Sequence, residues 1–406
     1  MSRIDGERLL RDLQTLRSIG AYRTGVHRPT YSPQDIEARH WLAARLAEAG
    51  LDPEIDGIGN VVGRARPEAT VGPGGQCLLI GSHLETQPHA GWLDGAMGVI
   101  YGLEVARALG RGVDVVAWAD EEGHYGSFLG SRSFCGLVDE AELAACRNRG
   151  DGTLLREALR CAGLADRARA ALDPARYRGY LEAHIEQGDV LDTSGQRLGV
   201  VTSIVGARQF RITFEGVQNH AGTTRMAIRR DAGVALVRLA GAIDRGFPRV
   251  AGPRSVWTVG RITLEPGAAS IVPGRAEMLL QFRDTDLTLL DRMEQELEAL
   301  VAEAEQGPCH ITLEPLSRSV PMTMDAGFQE VLARAAERHA PGLVARLPSG
   351  AGHDAQVLAN RLPAAMLFVP SIGGISHHWS EDSSEADIVL GCAALADAAA
   401  EILGMT

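Results

Sequence analysis

The spacing of apolar and polar positions changes period several times along the chain. Ser32-Pro33 reads as the N-cap and first residue of a helix, with Asp35 at its third position. Leu42, Leu46 and Ala49 carry the apolar face onward, and Gly50 is placed to end it. Segments 55–62 and 77–80 predict strands, 96–109 a helix, and 113–119 a strand buried on both faces. Helices alternating with short apolar strands predict a layered α/β domain with a largely parallel sheet.

Near residue 207 the pattern becomes strictly alternating. Phe210, Ile212 and Phe214 are interleaved with Arg211, Thr213 and Glu215, the mark of a half-buried strand. A helix over 231–245, strands over 255–264 and 276–283, a long amphipathic helix over 286–305 and a strand over 310–314 follow. This order, β-α-β-β-α-β, is the ferredoxin-like signature. The α/β pattern then resumes with a helix at 328–339, a buried strand at 364–369 and a closing helix at 386–403. The expected fold class is therefore α/β, with a discontinuous layered domain, 1–206 and 319–406, interrupted by a compact ferredoxin-like domain at 207–318.

Composition narrows the chemistry. A chain of 406 residues suits two or three folding units. Its net charge of −12 opposes phosphate backbones and anionic lipid, so neither nucleic acid nor membrane is an expected partner. The chain contains no lysine, which excludes a Schiff-base lysine and a Walker A loop. Six scattered cysteines without a C-x-x-C pair read as reduced thiols. Residues 1–20 contain no apolar core of a signal peptide, and no run approaches 18 apolar residues, so the expected location is the cytoplasm.

No G-x-S-x-G elbow and no strand-linked G-x-G-x-x-G is found. What remains is a series of histidines and carboxylates at the ends of expected strands, where ligand sites of open α/β sheets lie. His83 closes Cys77-Leu78-Leu79-Ile80-Gly81-Ser82-His83, and Asp94 sits in a glycine-flanked turn before a helix. Asp120-Glu121-Glu122-Gly123 follows the 113–119 strand, His184 lies within 180–188, and Gly373-Gly374-Ile375-Ser376-His377-His378 is a glycine-rich loop after a strand. Imidazole and carboxylate together suit Zn²⁺, Mn²⁺, Co²⁺ or Ni²⁺ and suffice for a two-metal centre. Adjacent Glu121 and Glu122 offer a division of labour, one ligating while the other takes a proton from water. Taken singly, each feature is also what a packed histidine or a solvated acidic run looks like, and spacing does not decide whether they converge.

Together these segments resemble the amidohydrolase branch of the M20 metallopeptidase-like family, which holds N-carbamoyl-L-amino-acid hydrolases, β-ureidopropionases and allantoate amidohydrolases. The resemblance rests on residues 81–88, 93–99, 120–123, 129–132, Val272-Pro273-Gly274, 347–355 and 374–377. His184-Ile185-Glu186-Gln187-Gly188 and Asn219-His220-Ala221-Gly222-Thr223-Thr224 point to this branch rather than to the peptidases. It implies that His83 and His184 hold one divalent metal ion of each subunit and Glu122 and His377 a second, with Asp94 bridging. Zn²⁺ is the first expectation and Mn²⁺, Co²⁺ or Ni²⁺ the alternatives. It further implies that Glu121 is the general base and later the acid, and that His220 stabilises the oxyanion in a neighbouring subunit's site. Arg283 would bind the substrate carboxylate, and Gln187, Ser270, Gly350 and Gly352 would line the pocket.

The implied protein is a cytoplasmic homodimer whose inserted domain serves as lid and dimer contact. It would cleave a linear C–N bond of a small substrate carrying a carboxylate. An N-carbamoyl-L-amino acid comes first, allantoate or another ureido acid second, then an aminoacylase or dipeptidase activity, and last a non-catalytic metal-binding dimer. The sequence departs from the family pattern at Glu85, where H-x-D-[TS] has Asp, at His124-Tyr125, at Ser270, where Asn is expected, and at Arg225. The first change bears on the support of a ligand histidine and the others on the substrate.

Overall fold

The computed structural model describes residues 4–71 and 75–405. Residues 203–322 form one compact unit, and the chain on either side of them forms another.

The larger unit is built on a mixed nine-stranded sheet. At its centre four strands lie side by side in the order Val113–Trp118, Cys77–His83, Tyr177–Ile185 and Ala364–Val369, each parallel to its neighbour. All four are buried almost throughout, as expected of parallel strands covered on both faces. The sheet is not parallel to its edges. Val61–Arg64 adds antiparallel to Val113–Trp118, Asp52–Ile55 adds antiparallel to Val61–Arg64, and Leu198–Ile204 adds antiparallel to Ala364–Val369. The single strand expected over 55–62 is thus two strands joined by a turn. Asp56 accepts the N–H groups of Ile58 and Asn60 there, a local carboxylate cap that breaks the run.

Helix Ala96–Leu109 is apolar nearly all round, because it packs on the sheet and is covered in turn by Gly6–Ser18 and Glu385–Ile402. Each of its fully buried side chains such as Val99, Ile100 and Leu103 contributes ~1.5–3 kcal/mol through loss of water contact. Helix Pro33–Glu48 begins as expected, with the Ser32 hydroxyl accepting the Asp35 N–H.

The smaller unit contains a four-stranded antiparallel sheet in the order Val256–Glu265, Arg275–Asp284, Gly206–Glu215, His310–Arg318. Burial alternates residue by residue along Gly206–Glu215 and Arg275–Asp284. Phe210, Ile212, Phe214, Met278, Leu280 and Phe282 form the inner face. They pack against Leu236, Leu239 and Ile243 of helix Ala232–Gly246 and Leu290, Met293 and Leu297 of helix Leu287–Ala304.

Candidate metal centre

The parallel register aims every central strand the same way, so the loops after their carboxyl ends meet on one side of the sheet. His83 ends one strand, His184 lies one residue from the end of the next, Glu121 and Glu122 follow Val113–Trp118, and His377 follows Ala364–Val369. Asp94 enters from the turn before helix Ala96–Leu109. Gly95 there has φ +65°, and a β-carbon on it would collide with the His83 ring.

The two buried histidines are oriented by main-chain carbonyls. His83 Nδ1 lies 3.0 Å from Glu85 O, and His184 Nδ1 lies 2.9 Å from Ile185 O. A carbonyl oxygen only accepts, so each Nδ1 carries a proton and each Nε2 is the atom turned toward Asp94, whose carboxylate raises both rings against burial. Those Nε2 atoms stand 3.5 and 3.2 Å from Asp94 Oδ1. The other Asp94 oxygen, Oδ2, lies 3.3 Å from His377 Nε2, which is 3.8 Å from Glu122 Oε2. Two sets of donor atoms result, His83 with Asp94 and His184, and Asp94 with Glu122 and His377, each within 4.8 Å. Asp94 belongs to both and offers a different oxygen to each.

Electrostatics fit that reading. Burial opposes ionisation of Asp94, but its bonds to His184, His377 and His83 hold it well below the usual carboxylate range. Asp94 in turn lifts His377 to about 9, against the opposing effect of burial. Burial pushes Glu121 well above the ordinary glutamate value, with Glu122 and Asp94 adding to the rise against the pull of His83. Burial and Asp94 also raise Glu122. A donor set this rich in carboxylate and imidazole, with one carboxylate shared by both groups, has the chemistry of a divalent-metal site.

Glu121 Oε2 sits 3.6 Å from His83 Nε2, beside the first donor set. Gln187, at φ +58°, donates to Asp94 Oδ2 at 3.0 Å, and its buried Oε1 has no partner among the described residues. The 349–354 turn comes close through His353, whose ring lies edge-on to His184 at 4.6 Å, while Gly352 packs on Phe128. Gly350 lies in the same turn. His220, Ser270 and Arg283 belong to the smaller unit. Asn219–His220 pairs with Ile271–Val272, and Ser270 O accepts the Ala221 N–H at 2.9 Å, which brings Ser270 beside the His220 loop. Arg283 donates to Gln281 Oε1 at 2.9 Å, and burial lowers its guanidinium pKa.

Three residues at this centre escaped the sequence reading as site residues. Glu381 Oε1 accepts the N–H groups of Leu93 and Asp94 at 3.2 and 3.1 Å, and Oε2 accepts the Ser376 hydroxyl at 3.0 Å. One buried carboxylate, raised by burial to about 8, therefore ties the Asp94 turn to the His377 loop. Its only signal is a place in Ser380-Glu381-Asp382-Ser383, which reads as a solvated turn. Gln87 clasps Glu122 through N–H and side-chain amide at 3.1 and 2.6 Å. Arg39, four residues after Asp35, reads as a surface helix pair but is fully buried.

These features define a hydrolase-like α/β unit with a clustered His–carboxylate centre at the ends of its parallel strands. The chain belongs to peptidase family M20/M25/M40, whose profile matches residues 79–401. It is 35% identical over 412 residues to the N-carbamoyl-L-amino acid amidohydrolase of Geobacillus stearothermophilus, covering 97% of each chain. It is 33% identical over 405 residues to the allantoate amidohydrolase of Escherichia coli K12, covering 95% of each. The crystal structure of an amidase of the hydantoinase/carbamoylase family from Burkholderia phymatum superimposes with a TM-score of 0.88 at 53% identity, covering 100% of this chain and 99% of that one. No helix among the described residues is long and apolar enough to cross a membrane.

Proposed function

We propose that this chain is a metal-dependent amidohydrolase that cleaves a linear, non-peptide C–N bond, with an N-carbamoyl-L-amino acid as the favoured substrate. The observation that carries the reading is the shared Asp94, whose two oxygens face two separate donor sets with Glu121 beside the first. The similarity to an N-carbamoyl-L-amino acid amidohydrolase supports the substrate class. Allantoate is the second reading, supported by the almost equal similarity to an allantoate amidohydrolase.

His83, Asp94 and His184 would hold one divalent ion and Asp94, Glu122 and His377 a second, with Zn²⁺ the first candidate. When bound, such a pair supplies Lewis acidity toward the scissile carbonyl and a water acidic enough to react near neutral pH. Glu121 accepts the water's proton and later returns it to the leaving amine, and its raised pKa suits a group that must hold a proton between two steps. Gln187, whose side-chain amide donates to Asp94, would line the pocket.

The smaller unit is read as a ferredoxin-like lid and dimerisation domain spanning 207–318, with 1–206 and 319–406 as the catalytic domain. In the smaller unit the His220 Nδ1 accepts the N–H groups of Gly222 and Thr223 at 3.0 and 3.2 Å. The ring proton of neutral His220 therefore sits on Nε2, the polarity needed to donate to a developing oxyanion. The partner subunit's His220 would serve each site. The edge strand Val256–Glu265 exposes Val256, Ile262 and Leu264, with Val234 and Val237 exposed on helix Ala232–Gly246, an apolar surface suited to a second copy. Arg283 would pair with the substrate carboxylate and Ser270 would contact the substrate, as Gly350 and Gly352 would from the larger unit. A cytoplasmic location accords with the reduced, unpaired cysteines.

The deciding experiment is ammonia release from a panel of N-carbamoyl-L-amino acids, allantoate, β-ureidopropionate and dipeptides. The highest kcat/KM is expected on an N-carbamoyl-L-amino acid. Turnover of dipeptides alone would overturn the reading.

A further inference from the structure

Glu85 stands where a shorter carboxylate would be expected to support the His83 ring, and its side chain does something else. The nearer carboxylate oxygen, Oε1, is 4.0 Å from His83 Nδ1, beyond hydrogen-bond reach, while that nitrogen is satisfied at 3.0 Å by the Glu85 main-chain carbonyl. Oε1 instead accepts the main-chain N–H of Glu121 at 2.7 Å. Oε2 accepts from Arg39 Nη2, also at 2.7 Å.

Arg39 is itself fixed from several sides. Its Nε donates to Asp35 Oδ2 at 3.0 Å, and its Nη1 donates to Gly59 O at 2.7 Å and to Trp118 O at 3.3 Å. The side chains of Asp35, Arg39 and Glu85 are all fully buried. The guanidinium thus bridges the helix Pro33–Glu48 to the end of strand Val113–Trp118, three residues before Glu121. Each longer reach matters here. One extra methylene carries the Glu85 carboxylate past the imidazole to the peptide that bears Glu121, and the planar fork of Arg39 holds it there with no solvent to compete.

We infer that Glu85 and Arg39 are positioning residues for Glu121: the Asp35–Arg39–Glu85 network holds the Glu121 main chain, and so sets where the base carboxylate stands, and it does not support the metal ligand His83. This rests on the reading of Glu121 as the general base. The bond in question is to the Glu121 main-chain N–H, so it can be measured whatever the Glu121 side chain does.

The test uses the full chain with Glu85→Asp, which keeps the charge and removes the methylene. Hydrogen exchange of the Glu121 amide is followed in metal-free protein, with the Ala119 amide, bonded to Asn60 Oδ1, as internal control. Metal content, kcat and KM are measured after loading. The expected result is at least ~10-fold faster exchange at Glu121 with Ala119 unchanged, full metal content, unchanged KM and a kcat lower by roughly 10–100-fold, the usual scale for outer-shell support. Arg39→Lys is the second variant, since a point charge cannot hold the same fork, and the same pattern at smaller amplitude is expected.

Unchanged Glu121 exchange in either folded variant overturns the inference. So does metal loss that accounts for the lost activity, since Glu85 would then be supporting His83. Unfolding of both variants would make the network a prop of the fold and overturn it equally. Near-normal turnover by Glu121→Gln would instead defeat the base assignment while leaving the exchange result standing.

Discussion

The Asp94 turn and the His220 loop carry the same kind of residue in opposite physical settings. Asp94 is 2% exposed, and its surroundings are complete. Glu381 holds its main chain, Gln187 and Ser376 meet its Oδ2, and histidines meet both oxygens. His220 is exposed, on a two-residue strand paired with Ile271–Val272, and among the described residues its ring is hydrogen-bonded only within its own turn, through Nδ1. The first region is preorganised by its own chain, at the cost of burying several carboxylates. The second leaves its ring Nε2 open to solvent, as the proposed role toward a partner's site requires. Chemistry that needs fixed geometry is placed where the fold over-determines it, and chemistry that must admit substrate is left on a surface.

That contrast can be broken most severely at the buried region. Chelation of bound metal should abolish activity, and readdition of Zn²⁺, Mn²⁺, Co²⁺ or Ni²⁺ should restore it. Asp94→Ala should lose both metal populations together, because it serves both donor sets. Elemental analysis alongside the assay checks this, and full activity in protein shown to be metal-free would end the proposal.

Next in size is Glu121→Gln. It should keep its metal and lose ~10²–10⁴-fold in kcat, the range for general acid–base groups. Titration of bound metal separates this from ligand loss.

His220→Ala should cost ~10²–10³-fold in kcat, the range for one oxyanion donor, with little change in the melting temperature because the side chain is exposed. Mixing this variant with Glu121→Gln under subunit exchange should restore about a quarter of wild-type activity, since random pairing leaves one site in four whole if each site borrows its partner's histidine. No recovery after verified exchange would place the action of His220 within its own chain.

Arg283→Leu should raise KM for carboxylate substrates roughly 10–100-fold, the size of a lost charge-assisted hydrogen bond. A neutral amide analogue should show no such rise.

The smallest effect is a proton count. With His377 lifted to about 9 by Asp94, the ring is mainly protonated at pH 7.5 in the metal-free chain, and a ligand nitrogen must be bare. Metal uptake should therefore release protons, that of His377 among them, and the calorimetric heat at that pH should vary with the ionisation enthalpy of the buffer. The share contributed by His377 should fall away as the pH rises past 9.

The sequence was most informative where local rules and burial agree. The alternation of Phe210, Ile212 and Phe214 reappears as the inner face of a sheet, and helix 96–109 and strand 364–369 fall within the bounds read from pattern alone. The clustered histidines and carboxylates were legible as candidates because each stands at or just past a strand end, or before a helix in the case of Asp94, and falls in a stretch that resembles a family motif. What spacing could not show is how they are held. Glu381 lies 287 positions from Asp94, and a bond between a side chain and a distant peptide leaves no periodic trace. Arg39 was hidden for a related reason. An Arg four residues after an Asp is the signature of an exposed helix pair, and only the packing of the 59–60 turn and the Trp118 strand end over it makes the pair internal. The antiparallel edges of the sheet were not legible, because antiparallel additions look the same as parallel ones in a single short strand.

The place of the strand Ala364–Val369, beside Tyr177–Ile185, has a consequence for how the molecule is made. His83, Asp94 and His184 leave the ribosome before the smaller unit, whereas His377 follows 193 residues after His184. At ~5–20 residues per second that interval is roughly 10–40 s. For that time a nascent chain owns one donor set and an unpartnered central strand edge, and the other set, with Asp94 and Glu122 already made, lacks only His377. An ion captured early would occupy the deeper position alone, and the second would join only when the last parallel strand closes the sheet. Were two ions bound, translation itself would order their arrival, from the buried position outward.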